Sequence, residues 1–188
     1  EPGGTQNLYW TLSETGNQIA EPGLSLIHGI TYYVSVKATD YVGNESGFAA
    51  SDGITIDIQS PTGGYVNDGS NDDLDYSVSP NTLEGNWGDF SDDLSGIISY
   101  EYAVGTLEGY DDIIPWTLCW LDTNFYNDQL VLENGRTYYT SVRAKDLVGN
   151  VSVPISSNGV TIDFNLPEIS YLYEGDLTID RDDQTSTD

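Results

Sequence analysis

The densest run of oxygen-bearing side chains in this 188-residue chain is Asn67-Asp68-Gly69-Ser70-Asn71-Asp72-Asp73-Leu74-Asp75. Carboxylates and amides spaced so closely suit a hard cation such as Ca²⁺, which takes roughly six to eight oxygen ligands. Asp68, Asn71, Asp72, Asp73 and Asp75 are therefore the candidate calcium ligands, and calcium is the one cofactor the composition suggests. Their spacing does not match an EF-hand loop. The competing interpretation is a solvated polar loop in a very acidic chain.

Other carboxylates are grouped less densely: Asp89, Asp92 and Asp93, and the pair Asp111 and Asp112. Paired carboxylates hydrolyse glycosides when a cleft holds the sugar and one partner keeps its proton near neutrality. These pairs sit in turn-like contexts that imply no cleft. A Ser-His-Asp triad would have His28 alone to draw on, and Cys119 is the one thiol. His28 aligns with Asn134 in the internal repeat described below, and both residues tolerate turns. Cys119, between Leu118 and Trp120, aligns with Ser13 and fits a small half-buried apolar group. No nucleophile and base stand together, so no enzyme is expected.

Trp116 and Trp120, with Trp10, Tyr9, Tyr110 and Phe125 nearby, make one region aromatic. Such rings stack on sugars in carbohydrate-binding modules, which makes Trp116 and Trp120 candidate ligand-binding residues. The alternative is packing against a sheet edge or a neighbouring molecule.

The charge balance narrows the partners. Asp and Glu number 31 against 5 Lys and Arg, a formal net charge of −26. Nucleic acids and anionic membranes require a cationic face, so neither is an expected partner. No apolar run reaches the roughly 18 residues of a membrane span. One Cys cannot close an internal disulfide. The lack of Met is expected of a processed or excised piece of a longer chain.

The elements that must carry these residues recur. Gly29-Ile-Thr-Tyr-Tyr-Val-Ser-Val-Lys-Ala-Thr-Asp40 returns as Gly135-Arg-Thr-Tyr-Tyr-Thr-Ser-Val-Arg-Ala-Lys-Asp146, an offset of 106. The same offset joins Trp10 to Trp116, Val42-Gly43-Asn44 to Val148-Gly149-Asn150, Gly53-Ile-Thr-Ile-Asp57 to Gly159-Val-Thr-Ile-Asp163, and Pro61 to Pro167. One spacing over many landmarks indicates tandem units. Residues 1–57 are expected to be the C-terminal half of one repeat, 58–163 a complete repeat, and 164–188 the opening of a third. Glu174, Asp176, Asp180, Asp182 and Asp183 would stand in that third unit roughly where the 67–75 loop stands in the second.

Apolar residues alternate with period 2. Tyr138, Thr140, Val142 and Ala144 would face one way, and Tyr139, Ser141, Arg143 and Lys145 the other. Further strands are expected near 64–66, 82–88, 97–104, 115–120, 129–132 and 152–163, separated by Gly, Asn, Asp and Pro clusters. No stretch carries a capped helical stripe. Seven short strands in one repeat predict an all-β fold, a Greek-key β-sandwich repeated in tandem. In the Asp-x-Val-Gly-Asn loops, Asp40 and Asp146 would bond backbone amides two residues on, with Gly and Asn in the turn.

These residues resemble a known family. Leu132-x-x-Gly135-x-x-Tyr138-x-x-x-Val142-x-Ala144 is similar to a corner of fibronectin type III domains, and it appears again as Leu26, Gly29, Tyr32, Val36 and Ala38. Trp87 matches a core Trp of that family, Tyr100 or Tyr102 a core Tyr, and Pro61 and Pro167 an early Pro. The resemblance implies a structural core of Trp87, Tyr102, Leu132 and Tyr138, with Leu26 and Tyr32 in the first copy. The Leu fills the core under the corner. The Tyr buries its ring while its hydroxyl bonds backbone just upstream. Asp89-Phe-Ser-Asp-Asp-Leu-Ser-Gly-Ile97 and Asn158-Gly-Val-Thr-Ile-Asp163 are similar to tandem fibronectin-like repeats of large bacterial extracellular proteins.

The fold supports many functions. The expectation is a non-catalytic structural or adhesive module of an extracellular, cell-surface bacterial protein or fibre. Its partners would be neighbouring repeats, or identical chains sharing strands where a repeat is incomplete. The alternative is a carbohydrate-binding accessory module of a larger secreted hydrolase.

Overall fold

A computed structural model describes residues 8–13, 16 and 18–170. The described residues form β-structure and no helix. The strands are β1 (Thr31–Tyr32), β2 (Ser35–Val36), β3 (Ala49–Ala50), β4 (Ile54–Thr55), β5 (Thr62–Asp68), β6 (Tyr76–Ser77), β7 (Leu83–Ser91), β8 (Ile97–Gly105), β9 (Ile114–Trp120), β10 (Asn124–Asn127), β11 (Thr137–Asp146), β12 (Ile155–Ser156) and β13 (Val160–Ile162).

Strands β10, β7 and β5 form one antiparallel sheet in that order. The order β6-β13-β11-β8-β9 forms a larger sheet, with β12 also paired to β11. The β6–β13 pairing is parallel and the others are antiparallel. In the first copy, β1 pairs with β4 and β2 with β3.

The core joins the three-stranded sheet to the larger one. Val66, Leu83, Trp87, Phe90 and Phe125 come from the smaller sheet. Tyr100, Val104, Ile114, Tyr138, Val142, Ala144, Val160 and Ile162 come from the larger. Trp87 stacks near Tyr102 and meets Tyr100 edge-on, with ring centroids 6.0 and 6.2 Å apart. Tyr102 stacks in turn on Phe125 at 4.6 Å. Burying each such side chain contributes roughly 1.5–3 kcal/mol. Along β11 Tyr138, Thr140, Val142 and Ala144 are buried and Lys145 is exposed, as the period of 2 requires. Ser141, expected on the opposite face, is also buried, its hydroxyl accepting the Gly109 N–H and pairing with Ser156. Leu132 lies under the corner that leads into β11, also buried.

The two copies are fastened alike but covered differently. Tyr138 is buried, whereas Tyr32 and Leu26 are only half-buried. Val36 is 58% exposed where its counterpart Val142 is fully buried, and Ile54 is 64% exposed where Val160 is 4%.

Two expected strands differ. Residues 129–132 are irregular, and the strand that pairs with β7 is β10, a few residues earlier. Asn127 ends it, because its Oδ1 takes the N–H of Gln129. Leu130 and Leu132 then donate singly to Asn81 and Pro80 carbonyls instead of joining a ladder. The expected strand over 152–163 is broken by a turn into β12 and β13, with Gly159 at φ +91°. Residues 164–170 carry no strand, and the acidic residues expected between 174 and 183 lie outside the described residues.

Candidate functional site

Two turns at one end of the complete repeat are built around an Asp. After β7, Asp92 Oδ1 accepts the N–H groups of Leu94, Ser95 and Gly96 at 3.2, 2.8 and 2.7 Å. After β11, Asp146 Oδ1 accepts those of Val148, Gly149 and Asn150 at 3.0, 2.7 and 2.8 Å. Short side-chain oxygens that gather successive amides in this way stabilise turns. Gly149 takes φ +104°, a left-handed conformation that a side chain would strain. Asp40 repeats the device in the first copy, accepting from Val42 and Asn44.

The segment between β4 and β5 brings a third carboxylate to the same place. Asp57 Oδ1 accepts the N–H of Gln59 and Oδ2 accepts that of Ser95, both at 3.2 Å. Asp57, Asp92 and Asp146 each offer a ligand atom, and these lie within 4.8 Å of one another. The Asp57 side chain is 2% exposed and Asp146 is fully buried. Asp92 Oδ2 is shielded from solvent and has no hydrogen-bond partner. Beside the triad an open cleft is lined by Gln59, Ser60, Thr62, Ser91, Asp92 and Asp93.

The surroundings hold Asp57 as a carboxylate. Hydrogen bonding to the Ser95 side chain, then the N–H of Gln59, the neighbouring His28 and the N–H of Ser95, lower its pKa below the ordinary carboxylate range. His28 Nδ1 lies 3.4 Å from Asp57 Oδ1 and accepts the N–H of Ile58, while Nε2 lies 3.5 Å from Asp93 Oδ2. Among the described residues, the Lys and Arg ion pairs are elsewhere: Lys37 with Glu45, Arg136 with Glu133, and Arg143 with Glu101. Three neighbouring carboxylates thus face backbone dipoles and one imidazole.

The 67–75 loop is arranged differently. Asp68 turns into the protein interior, where Oδ1 accepts the Thr140 hydroxyl at 3.0 Å and Oδ2 is buried without a partner. Burial pushes its carboxyl up to about 6. Asn71, Asp72, Asp73 and Asp75 are exposed. Asp73 turns back to accept the Asp68 N–H, and Asp75 accepts from Asn158. The loop does not gather its five oxygen-bearing side chains around one point.

Trp116 and Trp120 lie on β9. The Arg143 guanidinium sits 4.4 Å over the Trp116 ring while its Nε bonds Glu101 at 2.6 Å. Lys37 over Trp10 at 5.3 Å repeats this pairing in the first copy. Trp120 is 66% exposed and takes φ +48°. Asp111 faces solvent, while Asp112 binds the N–H and hydroxyl of Thr106, so that pair closes a loop. Cys119 is half-buried and donates to the Tyr100 carbonyl at 3.3 Å.

Sequence reasoning singled out Asp92 and Asp146 separately and met Asp57 only as a repeat landmark. Nothing in their spacing joins the three, which come from segments far apart along the chain. No protein-family model matches the chain, and no curated protein matches it.

Proposed function

We propose that this chain is a non-catalytic structural module of an extracellular surface protein or fibre, built from tandem fibronectin type III-like Greek-key β-sandwiches. The observation that carries this reading is the hydrogen-bond framework shared by the two copies. Tyr32 and Tyr138 each accept an upstream N–H, Thr31–Thr55 and Thr137–Thr161 hydroxyls each pair at 2.8 Å, and Gly29 and Gly135 each donate to the carbonyl of a following Ile. Identical fastening at a constant spacing suits a spacer whose units repeat.

One contact across the repeat boundary and one just inside it support a mechanical role. Asn150 Nδ2 donates to the Gln59 carbonyl at 2.9 Å, and Ser95 N–H reaches Asp57. The groups that gather here brace a boundary. High negative charge keeps such units soluble and mutually repelling.

The exposed Val36 and Ile54 favour an extension of this reading, in which further strands cover the first copy, from the same protein or a neighbouring chain. Labelling of intact source cells with antibody raised to the chain tests the surface role. Signal that appears only after permeabilisation would defeat it. Sedimentation of the native protein tests strand sharing: polymers that dissociate only on denaturation support it, and a stable monomer opposes it.

A further inference from the structure

We infer that Asp57, Asp92 and Asp146 form a Ca²⁺ site that ties one repeat to the next. The inference stands on the geometry of the boundary and does not depend on where the protein resides.

Three carboxylates from three backbone segments converge, each with a ligand atom within 4.8 Å of the other two. The independent sign is Asp92 Oδ2. It is fully shielded and accepts no hydrogen bond, although Oδ1 of the same group accepts three N–H groups. An anionic oxygen removed from water without a donor is strongly destabilising unless a cation meets it. Among the described residues, the ion pairs of Lys37, Arg136 and Arg143 are made to carboxylates outside the triad. A bound divalent ion offsets both the orphaned oxygen and the repulsion among the three groups.

The ligand chemistry selects the ion. The triad offers oxygen alone, which suits hard cations and disfavours zinc and copper. Mg²⁺ prefers a strict octahedron made largely of water with one or two carboxylates, whereas Ca²⁺ accepts irregular sets rich in carboxylate. The adjacent cleft lined by Gln59, Ser60 and Asp93 leaves room for water to complete the sphere. His28 Nδ1 already accepts the Ile58 N–H, so that nitrogen is not free to serve as a ligand.

The site is also written into the repeat. Asp163 is the counterpart of Asp57, and Asp40 that of Asp146. Each boundary between units would therefore receive one Asp from the end of the preceding repeat and two from turns of the following one.

The test is calorimetric titration and thermal melting of the chelator-stripped 188-residue chain with CaCl₂. The expected result is one saturable site above the diffuse binding of an acidic surface, a melting temperature raised by Ca²⁺, and weaker binding of Mg²⁺. Asp57→Asn lies in the connecting segment and should weaken the saturable step by about tenfold or more, with the metal-free circular dichroism unchanged. Asp92→Asn keeps the Oδ1 acceptor and should do the same. Asp72→Asn should leave binding intact. Absence of a saturable step would overturn the inference, as would a step that survives both Asp57→Asn and Asp92→Asn. A step abolished by Asp72→Asn would move the ion to the 67–75 loop and overturn it as well.

Discussion

The Tyr138 hydroxyl accepts the N–H of Glu133 at 2.9 Å, five residues upstream, and fastens the corner that leads into β11. The same bond joins Tyr32 to Ile27 at 3.1 Å in the first copy. Removing the hydroxyl leaves the Glu133 N–H without that acceptor. Tyr138→Phe should destabilise the complete repeat by roughly 1–2 kcal/mol, and Tyr138→Ala by roughly 3–5 kcal/mol through the cavity it opens. Tyr32→Phe should cost under about 0.5 kcal/mol, because that ring is only half-buried. Urea unfolding of the three variants checks the ranking, and equal effects of Tyr138→Phe and Tyr32→Phe would refute it.

Asp68 predicts a pH dependence. Burial raises its carboxyl from 3.8 to about 6, so the folded chain holds this proton more tightly than the unfolded chain between those values. Its stabilising contribution is fully present below about 3.8 and is lost as pH rises through about 6. Asp68→Asn keeps an acceptor for the Thr140 hydroxyl and removes the titration. The variant should gain roughly 2–3 kcal/mol on the parent between pH 4 and pH 7.5. Urea melts of both proteins at the two pH values measure the gap, and a gap that does not change with pH would rule this out.

Trp116 should behave as a packing residue. Its ring already carries the Arg143 guanidinium, an interaction worth roughly 0.5–2 kcal/mol. Trp116→Ala should lower stability by at least that amount and leave a glycan array equally silent for parent and variant. Sugar binding by the parent that disappears in the folded variant would support the carbohydrate-module alternative instead.

Cys119 should be a sluggish nucleophile. Burial first, then the charges of Asp122 and Glu101, push its thiol up to about 11. At pH 8 its thiolate fraction is about a hundredfold below that of an ordinary thiol. Reaction with a disulfide reagent should be slow in the folded chain and rapid in urea. Equally rapid reaction in both would contradict the half-buried placement.

What was legible in the sequence is what short-range chemistry controls. The alternation through Tyr138, Thr140, Val142 and Ala144 announced β11, because a strand sends successive side chains to opposite faces whatever it packs against. The turns at Asp40 and Asp146 were readable for a related reason: each carboxylate bonds amides only two to four residues ahead. The Tyr138 core position followed from a corner motif that recurs at Tyr32, and that of Trp87 from the resemblance to a known family. The strand at β10 was harder to see, since Asn124 and Asn127 flank its two aromatic residues and look like turn residues in isolation.

Tertiary structure decided the rest. The 67–75 loop looked like a ligand set because its oxygens are close in sequence, yet the last residue of β5 must point to one face or the other. There Asp68 met Thr140, 72 residues away, and went inward. Asp57, Asp92 and Asp146 are far apart along the chain and share no local pattern. They meet because the connection into β5 crosses the same end of the fold where β7 and β11 finish. Local hydrogen bonds determine a turn from a few adjacent residues, but bringing three charges together depends on where the sheets place the ends of their strands.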